Sequence, residues 1–401
     1  MTTFHEKLSL LRGLVTGEVA YKGPFFVSID LTRRCNLNCR YCRYHSSLSD
    51  FPSPVDKPFL DLPLEMLRKL FKELETFQTR EIIFSGEGEP LLYPHFFDAV
   101  SVAKAAGMHV NVITNGTLLT EEVIRRLIDL RLDLLTISLW ASSEKEYERL
   151  YPGTKPTYFN KVLEALKRVT DIKAKEKSQL PALRLHRPIS RDNFRTVEVA
   201  FDQAYAAGCN QLTVAPIHSL KGEVTSYMLS SSEEKDLFFS LFRMKSRLKK
   251  YSISNNIDVT MQLYQIGEAV WKTLPCYVGW IHSRIRIDGT VFPCGRCSLP
   301  LGNLSEMNFH EIWNGDAYHS FRKTVSTRQG LAGMKNHCLC GYCCHIRNSI
   351  RVHRIYRWIA PFAHVLSNRG HAPSGLALKR QGGEVDLRGS NPETWCRSQR
   401  E

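Results

Sequence analysis

The segment FFVSIDLTRRCNLNCRYC (25–42) decides the fold, because an apolar strand runs directly into a loop that carries three cysteines. Cys35, Cys39 and Cys42 follow a C-x3-C-x2-C spacing. Thiolates are soft ligands that select iron–sulfur clusters or zinc. A tight loop can hold three corners of a cubane and leave one iron open, whereas a structural zinc site needs a fourth ligand. His45 is a candidate for that ligand, so the spacing alone leaves both metals open.

Downstream of this loop, apolar runs typical of strands alternate with helical patterns. Thr120, followed by Glu121 and Glu122, predicts a capped helix start. Alternation of this kind predicts right-handed βαβ units and a parallel sheet. We therefore expect an α/β fold, a partial (β/α)6 TIM-type barrel, with function at the carboxyl ends of the strands. The predicted strands are 25–31, 81–85, 109–114, 133–140, 182–187 and 211–216. The predicted helices are 2–16, 63–76, 95–106, 120–130, 159–175, 193–206 and 231–250.

Composition narrows the class of protein. The chain has 401 residues and a formal net charge of +14. Basic surfaces are common and cysteine-ligated clusters add negative charge, so nucleic acid is not the expected partner. Twelve cysteines in a long chain without a secretory signal indicate metal binding rather than disulfides. No apolar run is long enough to span a bilayer, and we expect a reducing cytoplasm.

Changes in composition and periodicity along the sequence divide the chain into five predicted segments. The predicted divisions are a lead-in (1–24), a core barrel (25–230), a linking helical segment (231–275), a Cys-rich module (276–345) and a basic helix with a flexible tail (346–401). The basic stretch 345–366 mixes Arg with Ile, Tyr and Trp. It is expected to pack its apolar face on the preceding module, and contact with a membrane surface is the alternative.

The cysteine loop resembles that of the radical S-adenosylmethionine (SAM) superfamily, with Tyr41 as the aromatic residue before the last cysteine. The resemblance covers 25–216. It implies that a [4Fe-4S] cluster on Cys35, Cys39 and Cys42 binds SAM at its open iron. It further implies reductive cleavage of the sulfonium, abstraction of a substrate hydrogen atom, and a reductant protein of the ferredoxin or flavodoxin type.

The same resemblance implies cofactor-binding residues after four of the strands. In SGEGEPLL (85–92), Gly88, Glu89 and Pro90 match a motif that holds the methionyl amino group, while Glu87 departs from it where a glycine often sits. A plain turn is the alternative.

Three further candidates come from later strands. Asn115 lies in an Asn-Gly pair at the expected cofactor rim, or in an ordinary turn. Ser138 matches the position that bonds the ribose hydroxyls, or is a packed polar residue. Arg187 is a candidate for the cofactor carboxylate, or a satisfied surface arginine.

The second cysteine pattern runs from Cys276 through twelve residues to Gly289 and through four more to Cys294, and it continues with LGNLSEMNFHEIWNG (301–315) and CLCGYCC (338–344). This pattern resembles the SPASM module of peptide-modifying and sulfatase-maturing enzymes. Gly289 is predicted to form the tight turn of a hairpin. The module implies either two auxiliary [4Fe-4S] clusters, with one open or non-cysteine position, or a single cluster. A zinc ribbon on Cys294, Cys297, Cys340 and Cys343 is the alternative. The candidate ligands are Cys276, Cys294, Cys297, Cys338, Cys340, Cys343 and Cys344.

The resemblance therefore implies a radical SAM oxidoreductase or maturase that acts in peptide or protein modification or natural-product maturation. Tailoring of a sugar or another small molecule is an alternative. A non-enzymatic zinc or iron–sulfur adaptor with a basic nucleic-acid-binding surface is the alternative from another class. No catalytic acid, base or radical relay residue is predicted. The candidates for substrate contact are His218, Lys221 and Glu223 in the loop after strand six, with a solvated loop as the alternative. Trp140 and Tyr151 after strand four are candidates for an aromatic wall that shapes the pocket.

Overall fold

A computed structural model describes residues 4–46, 60–217, 227–266, 271–338, 340 and 343–359. The loop candidates His218, Lys221 and Glu223, and the tail cysteine Cys396, lie outside these residues. No helix within the described ranges combines the length and the apolar character that crossing a bilayer requires.

Ten strands in the described part of the chain form one sheet. In chain order, β1 to β10 are Phe26–Ile29, Glu81–Phe84, His109–Thr114, Leu134–Ser138, Ala182–Ile189, Gln211–Pro216, Ser254–Asn255, His282–Ile285, Thr290–Phe292 and Gly302–Asn303. Their order across the sheet is β10-β9-β8-β1-β2-β3-β4-β5-β6-β7. All neighbours from β8 to β7 are parallel, and only β8-β9 and β9-β10 are antiparallel. Because β10 and β7 are the two edges and do not pair, the described strands form a partial barrel, as predicted.

Helices cover one side of this sheet and fill the connections between strands. They are α1 (Phe4–Thr16), α2 (Leu64–Thr76), α3 (Phe96–Ala105), α4 (Glu121–Asp129), α5 (Glu144–Leu150), α6 (Tyr158–Lys175), α7 (Val199–Ala206), α8 (Ser231–Lys250), α9 (Ile257–Ile266), α10 (Val278–Ile281), α11 (Phe309–Asn314), α12 (Asp316–Val325), α13 (Arg328–Gly333) and α14 (Ile346–Ile359).

Two of the predicted helices begin at a side-chain cap. Thr120 caps α4, and its hydroxyl accepts from the backbone N–H of Val123 (3.2 Å), as expected. The α8 bounds match the prediction, and a full capping box between Ser230 and Glu233 fixes the helix start. In contrast, α5 and α9 were not predicted, since both are short and follow connections without a clear apolar period.

The two faces of the sheet differ in polarity. Val27 and Ile29 of β1 are fully buried toward the helices, as are their counterparts on the neighbouring strands. The opposite, inner face carries polar side chains at alternate positions. Strand register places Ser28, Asn111, Thr136, Ser138 and His186 among this inner-face set. A polar inner face in a sheet that does not close suits a binding cleft rather than a packed barrel core.

The Cys-rich module joins the barrel directly. Its first strand, β8, pairs in parallel with β1, in a register that sets Phe26 beside His282 and Ile29 beside Ile285. The predicted hairpin forms between β8 and β9, and Gly289 takes φ +77° in its turn. The domain boundary at residue 276 stays a prediction. The sheet continues across this boundary, because β8 of the module pairs with β1 of the barrel.

The basic helix α14 packs on the protein. Ile346 and Ile350 are buried in a small cluster with Leu263 and Leu274. This is the packing expected from the sequence rather than a free amphipathic face.

Candidate functional site

The three cysteines of the first loop lie immediately beyond the carboxyl end of β1. Each is half-buried, and the backbone N–H of Cys42 donates to the carbonyl of Cys39 (3.0 Å). Their thiols interact electrostatically with one another. Burial raises the pKa of Cys35 to about 11 and also raises the pKa values of Cys39 and Cys42. The thiolates that a cluster requires therefore need compensating positive charge, which bound iron supplies.

Gly88 brings the loop after β2 into contact with the backbone of the cysteine loop. A Cβ at this position would lie 2.4 Å from the carbonyl oxygen of Arg34 and 2.6 Å from that of Thr32. The next residue, Glu89, donates its backbone N–H to the same Arg34 carbonyl (2.8 Å). Only glycine fits this approach, so the two loops form one unit around the cysteines.

Glu89 joins these two loops to the end of β3 through hydrogen bonds. Its carboxylate accepts from the Thr114 hydroxyl (2.6 Å), from the backbone N–H of Asn115 (2.8 Å) and from the backbone N–H of Leu91 (3.2 Å). Burial raises the pKa of Glu89, although each of these hydrogen bonds lowers it. Glu89 thus positions the loops that follow β2 and β3.

Asn115 faces the cysteine loop at the rim of this unit. Its amide nitrogen donates to the side-chain oxygen of Asn36 (2.9 Å), a residue directly after Cys35. The Asn36 amide in turn donates to the Thr117 hydroxyl (2.7 Å). The structure therefore brings Asn115 to the cysteine loop.

Ser138 ends β4 on the inner face of the sheet. The indole N–H of Trp140 donates to its hydroxyl (3.2 Å), and the same indole stacks on Tyr41 with ring centroids 6.1 Å apart. The Tyr151 hydroxyl accepts the backbone N–H of Trp140 (3.0 Å). The aromatic candidates after β4 thus pack beside the cysteine loop and fix the end of β4.

Arg187 does not join this group, which corrects its assignment to the cofactor carboxylate. Register pairs it with Val214, on the face opposite Ser138. It is fully buried, and its guanidinium donates to the Ser142 hydroxyl (2.8 Å) and the Ala141 carbonyl (2.8 Å). Desolvation lowers its pKa to about 10. Arg187 holds the chain after β4 from the helical side.

The imidazole of His45, the candidate fourth ligand of a zinc site, hydrogen-bonds to the loop after β2. Its Nε2 donates to the backbone carbonyl of Glu87 (2.6 Å). In the described residues, no three His, Cys, Asp or Glu side chains converge on one point as ligands of a single metal ion do. A cubane presents four separate irons, so its ligands do not need to converge in this way.

Glu87 connects the cysteine loop to the Cys-rich module, a role the sequence did not reveal. One carboxylate oxygen pairs with Arg33 (2.6 Å), and the other pairs with Arg286 beyond β8. Glu87 is 1% exposed. The sequence signal for this role was the position of Glu87 within the glycine-rich motif. A charged residue that is buried there needs a partner of opposite charge.

A second buried pair lies beside the first. Asp30, at the end of β1, is fully buried and accepts two hydrogen bonds from Arg284 Nη2 (2.8 and 2.9 Å). The same nitrogen donates to the Tyr44 hydroxyl (2.9 Å). Desolvation raises the pKa of Asp30 to about 6, and Arg284 opposes that shift. Arg284 and Arg286 lie two positions apart, a spacing that puts both side chains on one face of a strand. No sequence pattern near them indicates that they pair with Asp30 and Glu87.

We expect Glu87→Gln to destabilise the protein by about 3–5 kcal/mol, because it removes the buried charge that faces Arg33 and Arg286. The measurement is the midpoint of chemical denaturation of the anaerobic holoprotein. Glu121→Gln, which breaks an exposed pair with Arg125, is the matched control and is expected to leave the denaturation midpoint almost unchanged, because exposed ion pairs contribute little to stability. Equal effects of the two substitutions would contradict the structural role of Glu87.

The Cys-rich module buries most of its thiols. Cys276, Cys294, Cys297 and Cys343 are buried, Cys338 and Cys340 are half-buried, and Cys344 is exposed. The buried Arg296 interacts electrostatically with Cys343 and Cys344. These soft ligands and the nearby positive charge fit iron–sulfur clusters, whose net charge is negative.

Two family matches account for these features. Residues 29–185 match the Radical SAM superfamily, and residues 276–344 match SPASM, an iron–sulfur cluster-binding domain. The first match implies a [4Fe-4S] cluster that binds SAM, and the second implies auxiliary iron–sulfur clusters. When bound, the first cluster supplies the electron that splits SAM and yields a hydrogen-abstracting radical.

Similarity to known proteins extends over most of the chain. AdoMet-dependent heme synthase of Methanosarcina barkeri is 24% identical over 336 residues, 79% of this chain and 90% of the relative. PqqA peptide cyclase of Gluconobacter oxydans is 24% identical over 308 residues, 75% of this chain and 80% of the relative. Streptococcus suis SuiB bound to S-adenosylmethionine has the same fold, with a TM-score of 0.58 and 15% identity, over 76% of this chain and 68% of SuiB. Residues 29–185 are thus a radical SAM domain and residues 276–344 a C-terminal SPASM domain, and the chain is an enzyme.

Proposed function

We propose that this enzyme abstracts a hydrogen atom from a peptide segment bound along the inner face of the open sheet. The observation that carries the proposal is that polar inner face, which lies between two unpaired edges, β10 and β7. Half-buried polar side chains such as Ser28, His186 and Thr213 can exchange hydrogen bonds with a peptide backbone. A gap between sheet edges lets a polymer enter from the side.

In this proposal the residues around the cysteine loop hold the cofactor. Cys35, Cys39 and Cys42 are the ligands of the first cluster. Gly88, Glu89 and Pro90 shape the loop that receives the methionyl amino group, and Gly88 does so by allowing contact with the cysteine loop. Asn115 forms the rim, and Ser138 offers its hydroxyl to the ribose.

Two relatives support the peptide class by their names. One similar protein is a peptide cyclase that acts on PqqA, and one SuiB structure contains the precursor peptide SuiA. A reductant protein of the ferredoxin or flavodoxin type is the proposed second partner, because SAM cleavage consumes one electron per turnover.

The test uses short peptides encoded beside the gene, synthesised with deuterated side chains. Anaerobic holoenzyme, SAM and a chemical reductant are mixed with each peptide. We expect deuterium to appear in 5'-deoxyadenosine and the peptide to change mass. Omitting the reductant is the control and should abolish both signals. Cleavage of SAM with no deuterium transfer from any such peptide would contradict the peptide proposal.

A small molecule with carboxylate groups is the second candidate. Arg184 lies on the inner face, half-buried, and donates to Gln211 Oε1 (2.7 and 2.9 Å). Desolvation lowers its pKa and the Glu81 carboxylate opposes that shift, so a bound carboxylate would add to a favourable interaction that Glu81 already makes. The similarity to a heme synthase over 90% of that protein agrees with this class. Stimulation of SAM cleavage by a carboxylate-bearing metabolite fraction, and by no peptide, would favour it.

We expect Ser138→Ala to weaken SAM binding roughly fivefold, because one hydrogen bond to a sugar hydroxyl contributes on the order of 1 kcal/mol. Equilibrium dialysis of SAM against the anaerobic holoprotein measures the change. Ser240→Ala, on the outer helix α8, is the matched control and should leave SAM affinity unchanged. Unchanged affinity in Ser138→Ala would contradict the ribose assignment.

A further inference from the structure

The C-terminal part of the sequence contains a long interval without acidic residues, and helix α14 lies within it. No Asp or Glu occurs between Asp316 and Glu384, whereas Lys and Arg recur along the same interval. Helix α14 itself, IRNSIRVHRIYRWI, carries four arginines and no acidic residue. A segment of a single charge sign creates a positive potential at the surface, and such a potential attracts an anionic partner.

Three of the α14 arginines share the exposed side of the helix. Arg347, Arg351 and Arg354 follow an i, i+4, i+7 spacing, so they project from one face, and each of them is exposed. The opposite face packs on the protein through Ile346 and Ile350. We call the exposed side, with these three arginines, the arginine face.

Neighbouring groups add positive charge around α14. Burial lowers the pKa of His353, and the charges of Arg357 and Arg328 lower it further. Arg328 begins α13 and is exposed, and Lys335, just after that helix, is exposed as well. The positive potential of the arginine face therefore continues onto the adjacent element.

The arginine face has the composition of a protein interface. Ile355 lies beside the arginines and is 39% exposed, so an apolar side chain sits among cationic ones. Arginine is enriched in protein–protein interfaces, around an apolar centre. A helix that lies on a membrane instead places its apolar face in the lipid. In α14 the apolar face is buried in the protein, so the arginine face fits an acidic protein better than a bilayer.

The helix begins beside the thiols of the SPASM domain. Cys343 and Cys344 directly precede its first turn, and the backbone N–H of Ile346 donates to the Cys343 carbonyl (3.2 Å). Cys344 is exposed. A protein that docks on Arg347 and its neighbours along α14 therefore lies next to the cysteine-bearing segment of the domain.

The same domain contacts the first cysteine loop on its other side. The guanidinium of Arg43, the residue after Cys42, donates to the backbone carbonyl of Gly295. Cys294 precedes Gly295 and interacts electrostatically with other thiols of its domain, Cys344 among them. The cysteine-bearing part of the domain thus lies between α14 and the loop that carries Cys42.

We propose that the arginine face of α14 is the docking surface for an acidic one-electron carrier protein. This inference rests on the reductant partner proposed above and identifies where that partner binds. One electron leaves the reduced carrier and is consumed in the cleavage of one SAM, and the carrier departs oxidised by one electron. The arginines attract and orient the carrier, and Ile355 gives the contact an apolar centre. Redox partners form small interfaces, so one helix face is sufficient.

The test measures binding of an acidic flavodoxin to the full-length anaerobic holoprotein. Arg347→Glu/Arg351→Glu reverses two charges on the arginine face, and Lys161→Glu/Lys167→Glu makes the same change at exposed positions of α6. Isothermal titration calorimetry at low ionic strength gives the affinities. We expect the α14 variant to bind flavodoxin about tenfold more weakly, and the α6 variant to bind it as the unaltered protein does. Added salt should reduce the difference.

Cleavage of SAM provides the second measurement. 5'-Deoxyadenosine is quantified without any peptide, with reduced flavodoxin or with dithionite as the electron source. We expect the α14 variant to need about tenfold more flavodoxin for its half-maximal rate. With dithionite it should match the unaltered protein, and its iron content should be unchanged. Because no peptide is present, failure of the peptide assay would leave these results as they are.

Three outcomes would overturn the proposal. The arginine face is not the docking surface if the α14 variant binds flavodoxin normally, or if the α6 variant loses as much affinity. It is a membrane surface if the unaltered protein binds phosphatidylserine vesicles and the α14 variant loses that binding but keeps its affinity for flavodoxin. If the double variant loses iron, Arg351→Glu alone, which is farther from Cys344, is judged by the same criteria.

Discussion

Replacing Cys42 with alanine is expected to end reductive cleavage of SAM while leaving the auxiliary clusters in place. In the proposed assignment the loop supplies one thiol to each of three irons, and SAM binds the fourth. With only two thiols, a second iron of the cubane has no protein ligand, and water competes for that position. We therefore expect a loss of about four irons per chain. 5'-Deoxyadenosine should fall to the level of protein without cluster.

The measurement pairs iron analysis with quantification of 5'-deoxyadenosine after anaerobic reduction. Cys209→Ala is the matched control, because Cys209 is buried behind β6 among apolar residues and lies outside every cysteine group. It should keep both the iron and the cleavage of the unaltered enzyme. Normal cleavage by Cys42→Ala would refute the assignment of the first cluster.

Replacing Gly88 with alanine is expected to have the second-largest effect. The added Cβ would lie 2.4 Å and 2.6 Å from two backbone oxygens, and neither can rotate away as a side chain would. Either the loop after β2 or the cysteine loop must move. Overpacking of this kind typically costs about 1–3 kcal/mol. Since both loops border the proposed cofactor site, we expect weaker SAM binding and less complete cluster loading together.

Gly333→Ala provides the control, because a Cβ there meets nothing within 4 Å at the end of α13. Its stability and SAM affinity should match the unaltered protein. Thermal denaturation and SAM dialysis on both variants compare the two sites directly. Unchanged SAM affinity and iron content in Gly88→Ala would show that the two loops tolerate separation.

Local sequence patterns were enough to predict most of the strands and helices of the barrel. Apolar runs between glycine and polar turns located β1 to β6, and the Thr120 cap located the start of α4. The cysteine loop was predictable because its residues are close in sequence and their chemistry is specific. The Gly-Glu-Pro loop was predictable only through the family resemblance and its place after β2. Alternation also placed Arg187 opposite Arg184 and His186, but it did not reveal which face held the helices.

What the sequence did not reveal are pairings between distant residues. Asp30 and Arg284 are separated by 254 positions, and Glu87 and Arg286 by 199. No local periodicity encodes such partners, because each charge taken alone resembles a solvated surface residue. The parallel pairing of β8 with β1 was missed for the same reason, since the hairpin pattern of β8 and β9 is complete without it.

The pairing of β8 with β1 also sets an order for folding during synthesis. The first strand leaves the ribosome with β2 as a local neighbour, but its other neighbour follows only after about 250 more residues. At about 5–20 residues per second, β1 keeps one bare edge for roughly 10–50 seconds. Exposed strand edges seed aggregation. Yield of this enzyme should therefore depend on chaperone supply and translation speed more than on the stability of the finished fold.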